Sequence, residues 1–98
     1  MMNNAKFYVK MLTKFKEDNN LNILEESLAS GDMENAQIAA HTLKGVVSNL
    51  SLTELYKQTL EMETQIKAKD INPQQMQILK NVYSETITEV EKVIIQNG

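Results

Sequence analysis

The sequence predicts an all-α fold, an up-and-down antiparallel four-helix bundle with an additional N-terminal helix. Only three Gly and one Pro interrupt the 98 residues. Apolar residues recur three and four positions apart, and no stretch alternates apolar and polar residues as a half-buried strand would. Short turns separate the predicted helices, which makes consecutive helices antiparallel neighbours. At this length we expect one domain covering residues 1–98.

The first two helices are defined by their apolar spacing and by the residues that end them. Helix one is predicted from about residue 5 to 17, and residues 18–20 break its pattern. Helix two stops at Gly31, because Gly readily takes the left-handed conformation that follows a helix. The apolar positions are Tyr8, Met11, Leu12 and Phe15 in the first helix and Leu21, Leu24 and Leu28 in the second.

The third helix is predicted from Asp32, a good N-cap, to about Leu50. The fourth is predicted to start at a capping box formed by Ser51 and Glu54. Asn72 caps the fifth, and Pro73 suits its first position because the missing N–H is not needed there. The apolar faces comprise Met33, Ala36, Ala40, Leu43, Val47 and Leu50; then Leu52, Leu55, Thr59, Met62 and Ile66; then Met76, Leu79, Tyr83, Ile87, Val90 and Ile94.

Composition narrows the function classes. The chain has no Cys, which excludes disulfides and thiolate metal sites. All ten basic residues are Lys and the net charge is −3, a poor balance for binding nucleic acid. No apolar run approaches the ~20 residues that span a bilayer, and the N-terminus does not resemble a secretory signal. We therefore expect a soluble cytoplasmic protein that binds neither nucleic acid nor membrane.

His41 is the only histidine and the centre of the predicted site. At ~100° per residue it falls opposite the apolar face of its helix, so it is expected to be exposed. Gly45 lies one turn away on the same face, where a bare backbone would let a bulky group approach the imidazole. Lys44 can bring a positive charge towards a phosphoryl group on the ring, and Ser48 can donate a hydrogen bond. Taken alone, Lys44 fits a solvated surface residue better, and an ordinary surface Ser explains Ser48 equally well.

Glu63 is a further candidate on the fourth helix. Antiparallel geometry places it level with His41, where its carboxylate can accept the Nδ1 proton and leave Nε2 as the nucleophile. An ordinary exposed Glu explains the position equally well.

The segment Ala40–Gly45, with the sequence A-H-T-L-K-G, resembles the signature of histidine-containing phosphotransfer (HPt) domains. Gly31-Asp32 before the helix and Asn49-Leu50 after it fit the same pattern. The resemblance implies that His41 is phosphorylated, that Lys44 and Gly45 support and expose the phosphoryl group, and that Glu63 orients the imidazole. Where the family usually has Gly at the hairpin tip, this chain has Ser51.

The resemblance also implies the partners. His41 would exchange phosphate with the aspartate of receiver domains, with a hybrid histidine kinase as a further partner. The receiver would supply Mg²⁺, and this chain needs no cofactor of its own. Gln37, Ile38 and Ser48 are expected at the docking surface. No phosphate-binding loop is visible, which favours a carrier over an ATP-dependent kinase or other enzyme. We expect a monomer, because a carrier that must expose His41 to a partner has no need to dimerise.

Three other interpretations remain. A non-catalytic helical adaptor would bind a signalling partner without phosphotransfer, but it would not need His41, Lys44 and Gly45 together. A metalloprotein is disfavoured by the single His and the absence of Cys. A hydrolase is disfavoured because no catalytic triad or carboxylate pair can be placed around His41.

Overall fold

The computed structural model describes the backbone of residues 2–97 and the side chains of residues 6–96. These residues form five helices and no β-strand, which confirms the all-helical prediction. Met1 and Gly98, the ends of the predicted domain, lie outside the described residues. The helices are α1 (Met2–Lys16), α2 (Asn20–Ser30), α3 (Met33–Asn49), α4 (Thr53–Ala68) and α5 (Gln75–Asn97).

The helices pack in a series in which α3 has two neighbours. It packs against both α2 and α4, α4 packs against α5, and α1 packs against α5. Burying each large aliphatic side chain between these helices stabilises the fold by about 1.5–3 kcal/mol. The core therefore fixes the neighbouring faces of α3 and α4. Its largest apolar members are Leu12, Phe15, Leu24, Leu43, Leu50, Leu55, Met62 and Leu79.

The turn from α2 to α3 follows the sequence prediction. Gly31 has a φ of 78° and its N–H bonds to the carbonyl of Leu28. The Asp32 side chain accepts a hydrogen bond from the N–H of Asn35 at 3.2 Å. These caps satisfy backbone groups that a helix end leaves unpaired. They fix where α3, the helix that carries His41, begins.

The turn from α3 to α4 corrects the predicted capping box. Ser51 has a φ of 59°, and Leu52 occupies the N-cap position without a side-chain hydrogen bond. The N–H groups of Ser51 and Leu52 bond to the carbonyls of Ser48 and Val47 at 3.1 Å each. Closing α3 in this way requires a left-handed residue, so Ser51 ends one helix instead of starting the next.

Two predicted apolar-face positions, Tyr8 and Met33, are exposed. Tyr8 on α1 is 38 % exposed, and its hydroxyl donates a hydrogen bond to the carbonyl of Leu50. Met33 is 40 % exposed, because it is the first residue of α3 and lies at the turn from α2. The buried face of α3 begins with Ala36, one turn later. None of the helices in the described part of the chain has the length and apolar character needed to cross a membrane.

Candidate functional site

His41 lies on the exposed face of α3. Its side chain is 68 % exposed, while its neighbours in the core, Ala40 and Leu43, are fully buried. This contrast follows from the helical period of about 100° per residue, which places Ala40 about 100° and Leu43 about 160° from His41 around the helix axis. The imidazole is thus held on a rigid helix and is open to a second molecule.

The Nδ1 atom of His41 contacts a buried carboxylate from the next helix. It lies 2.9 Å from Oε2 of Glu63, whose side chain is only 2 % exposed. A carboxylate accepts hydrogen bonds, so Nδ1 carries the proton in the neutral imidazole and Nε2 keeps its lone pair. The sequence left open whether Glu63 reaches the ring or points to solvent, and the structure places it against the ring.

Two lysines surround the same carboxylate. Lys44 Nζ lies 2.7 Å from Oε1 of Glu63, and Lys67 Nζ lies 3.4 Å from Oε2. A buried carboxylate needs such partners, because leaving its charge unpaired away from water is costly. Among the described side chains, the three that contact the Glu63 carboxylate each carry, or can take up, a positive charge.

These contacts favour the ionised form of Glu63. Burial alone raises the pKa of its carboxyl, but the hydrogen bonds from Lys44 and His41 and the charges of Lys44 and Lys67 lower it more. The net pKa of Glu63 lies below its ordinary value. In return, the hydrogen bond to Glu63 raises the pKa of Lys44. Near neutral pH the site therefore contains a fixed negative charge beneath the imidazole.

Lys44 takes a different position from the one expected from its spacing. The sequence suggests an ammonium reaching over the imidazole, whereas the structure places it on Glu63, with 22 % of the side chain exposed. Both groups therefore meet on one carboxylate, at its two oxygens. A phosphoryl group on His41 would find Lys44 close by but already paired.

Gly45 lies one turn beyond His41 and is exposed. A Cβ atom added there would meet no other atom within 4 Å. No neighbouring helix of this chain thus requires a glycine at this position. The bare backbone leaves open space beside His41 on the side that faces solvent.

The other predicted partner-binding residues lie around the imidazole at different distances. Gln37 and Ile38 line an open hollow of about 460 Å³ together with His41, and Ile38 is 56 % exposed. Ser48 is exposed two turns further along α3. It makes no hydrogen bond to His41 or Glu63 among the described side chains.

Comparison with protein families identifies the fold family. The model of the Hpt domain matches residues 10–92, which is most of the chain. The chain belongs to the Hpt domain family. Comparisons with curated proteins and with solved structures find no match. Hpt domains carry out histidine phosphotransfer in phosphorelays and are phosphocarrier modules.

The sequence analysis missed one residue of this Hpt site. Lys67 contacts Glu63 and lines the hollow beside His41. It follows Glu63 by four residues, the spacing at which Glu and Lys pair on one helix face. That spacing, together with the expected position of Glu63 level with His41, could have predicted Lys67 as a residue of the site.

The described residues of this Hpt domain offer no metal centre. No group of three or more His, Asp or Glu side chains among them is arranged to hold an ion. Glu63 is the acidic side chain bonded to His41, and its oxygens already contact Lys44 and Lys67. A cation placed here would have to displace these lysines.

Proposed function

We propose that this chain is a histidine phosphocarrier that exchanges a phosphoryl group between His41 and the aspartates of receiver domains. The observation that carries the proposal is an exposed imidazole whose Nδ1 contacts a buried carboxylate. This contact leaves Nε2 as the free nucleophile. A neutral imidazole carries a lone pair on its unprotonated nitrogen, so it needs no strong base to attack.

Phosphoryl transfer begins at the unprotonated nitrogen of His41. The lone pair of Nε2 attacks the phosphorus of a receiver's aspartyl phosphate in line with the leaving oxygen. The N–P bond forms as the P–O bond breaks, and the aspartate leaves as a carboxylate. The Nδ1 proton stays in its hydrogen bond to Glu63, which stabilises the positive charge on the phosphorylated ring. The reverse reaction returns the phosphoryl group to a receiver and releases neutral imidazole.

The residues around His41 contribute positive charge near the phosphoryl group and a surface on which the receiver can dock. Lys44 and Lys67 carry positive charges close to the ring, and either can turn from Glu63 towards the phosphoryl oxygens. Gly45 leaves room for the receiver to approach. Gln37, Ile38 and Ser48 extend the surface that the receiver covers, with Ile38 as its exposed apolar contact.

The partner supplies the rest of the chemistry. A receiver brings the aspartyl phosphate and its Mg²⁺, so this chain acts as a carrier without an ATP site or a cofactor of its own. A hybrid histidine kinase is a further source or acceptor of phosphate. We also propose a monomer in the cytoplasm, since His41 must stay open to successive partners.

We extend the proposal to the arrangement of the helices. Residues 1–98 form one domain in which α2 to α5 make the up-and-down antiparallel bundle and α1 is the additional helix. The support is that α2 packs against α3, α3 against α4 and α4 against α5, each across a short turn. The hairpin of α3 and α4 then sets His41 level with Glu63.

The experiment is transfer of labelled phosphate from a panel of phosphorylated receivers to the purified protein. We expect label that is acid-labile and alkali-stable, as phosphohistidine is, and that is absent from the His41→Gln variant. Circular dichroism would show that this variant is folded. If receivers active on a known carrier give no label to the folded wild type, phosphotransfer is rejected and the non-catalytic adaptor is supported.

A further inference from the structure

Helix α1 is positively charged in an otherwise acidic chain. It contains four lysines and no acidic residue. The other six lysines stand against all thirteen acidic residues, so α1 carries +4 and the rest of the chain −7. None of these four lysines forms an ion pair with another described side chain. They are Lys6, Lys10, Lys14 and Lys16, all exposed.

Three of these lysines form a strip with apolar neighbours. Lys6, Lys10 and Lys14 recur every four residues and so lie within about 80° of one another around the helix. Phe7, which is 64 % exposed, and the half-buried Met11 adjoin them. We call these five residues the basic strip.

The basic strip continues into a groove beside α3. Met11 and Lys14 line an open groove of about 260 Å³, whose opposite wall includes Asn49. Asn49 lies one turn beyond Gly45 and about 12 Å along α3 from His41. A partner of ordinary interface size covers about 800 Å², roughly 30 Å across, so a receiver centred on His41 reaches this groove.

We infer that the basic strip and its groove bind an acidic surface of the receiver next to its phosphoaspartate. The inference rests on the proposed function. A positive strip at one edge of a negative chain attracts an acidic partner at that edge and repels it elsewhere, which orients the encounter. The one carboxylate that lines the groove, Asp18, accepts hydrogen bonds from Asn20 at 2.8 and 2.9 Å.

Two other occupants fit the structure less well. A membrane surface would need a broad apolar face, but Leu12 and Phe15, on the opposite side of α1, are buried in the core. A second copy of the chain would offer an acidic surface, but a dimer formed through the basic strip would cover the surface beside His41 that a receiver needs. A receiver accounts for both the charge and the position.

The test measures the second-order rate constant of transfer from a phosphorylated receiver at about 0.02 M and about 0.5 M salt. Lys14→Glu is compared with Lys92→Glu, which changes the net charge equally. Lys92 is 62 % exposed and lies on α5, paired with Glu89 of its own helix. We expect Lys14→Glu to slow transfer about threefold at low salt, and Lys10→Glu combined with Lys14→Glu about tenfold.

At high salt, where surface charges are screened, we expect the α1 variants and the wild type to transfer phosphate at the same rate. We expect the rate of Lys92→Glu to stay within about twofold of wild type at both salt concentrations. Equal slowing by Lys14→Glu and Lys92→Glu would reduce the effect to net charge and overturn the inference, as would no slowing by either α1 variant. If wild type receives no phosphate from any receiver, both the inference and the proposed function fail.

The other occupants have their own readouts. Binding of the wild type to vesicles of phosphatidylserine and phosphatidylcholine is measured by co-sedimentation, and its mass in solution by analytical ultracentrifugation. Vesicle binding or a dimer that Lys10→Glu and Lys14→Glu together abolish, with transfer unchanged, would assign the strip to a lipid surface or to a second copy. Either result overturns the receiver assignment.

Discussion

Replacing Glu63 with Gln removes the charge beneath the imidazole while keeping the shape of the side chain. In the wild type, Oε1 accepts a hydrogen bond from Lys44 and Oε2 lies 2.9 Å from Nδ1 of His41. A Gln has one oxygen, and its NH₂ group is a donor that can pair neither with Lys44 nor with Nδ1 of His41 while Nδ1 keeps its proton. One charge-assisted hydrogen bond is lost, which we expect to lower the free energy of unfolding by about 1.5–3 kcal/mol at pH 7.

The loss depends on pH in a defined direction. The pKa of Glu63 in the folded protein lies below its ordinary value of 4.5, because its bonds to Lys44 and His41 outweigh the effect of burial. Its stabilising contribution is therefore complete above about pH 4.5 and is lost as the pH falls through the lower folded pKa. The difference between wild type and Glu63→Gln should shrink as acid protonates the wild-type carboxylate.

The assay is urea unfolding followed by circular dichroism at pH 7 and at about pH 3. Glu61→Gln is the matched control, because Glu61 is exposed on the same helix and its carboxylate, among the described side chains, accepts a hydrogen bond from Gln65 alone. We expect it to change stability by less than about 0.5 kcal/mol. Equal stability of wild type and Glu63→Gln at pH 7, or a difference that does not change with pH, would refute the reasoning.

Three further changes test other parts of the account. Gly45→Gln should block phosphotransfer, because its side chain fills the room left for the receiver. It should also raise the free energy of unfolding by about 0.5–1 kcal/mol, because Gly is a poor helix former and an added Cβ meets no neighbouring helix within 4 Å. Transfer and urea assays on one preparation check both effects, and loss of folding would contradict them. Lys44→Ala should leave His41 modifiable but slow transfer or shorten the lifetime of the phosphorylated form, measured by decay of the label; no change in either would make Lys44 a surface residue. Ser51→Gly should raise the free energy of unfolding by about 0.5–1 kcal/mol, because Ser51 has a φ of 59° and Gly adopts this left-handed conformation at lower cost than Ser. Urea unfolding that shows no gain in stability would contradict this reasoning.

The sequence predicted the elements of the fold that depend on local signals. Apolar spacing gave the five helices, and Gly31 and Asp32 marked the end of α2 and the start of α3. The turn at Ser51 was misjudged, because Ser is both a good N-cap and a tolerable left-handed residue. The geometry of the α3–α4 hairpin, which the local sequence does not encode, decides between the two.

The same limit applies to the site. Helical period alone placed His41 on an exposed face, because exposure follows from its angle to the apolar residues of α3. Glu63 stayed ambiguous, since its burial depends on how α4 rotates against α3. The contacts of Lys44 and Lys67 are with that buried carboxylate, so the sequence does not predict them unless the burial of Glu63 is known.

The most direct test of the account is to identify the atom that carries the phosphoryl group. The protein would be labelled with ¹⁵N in its histidine, phosphorylated by an active receiver, and studied by ¹⁵N and ³¹P NMR. We predict phosphorus bonded to Nε2 of His41, with the proton retained on Nδ1. Phosphorus on Nδ1, or on any other residue, would contradict the role given to the contact between His41 and Glu63.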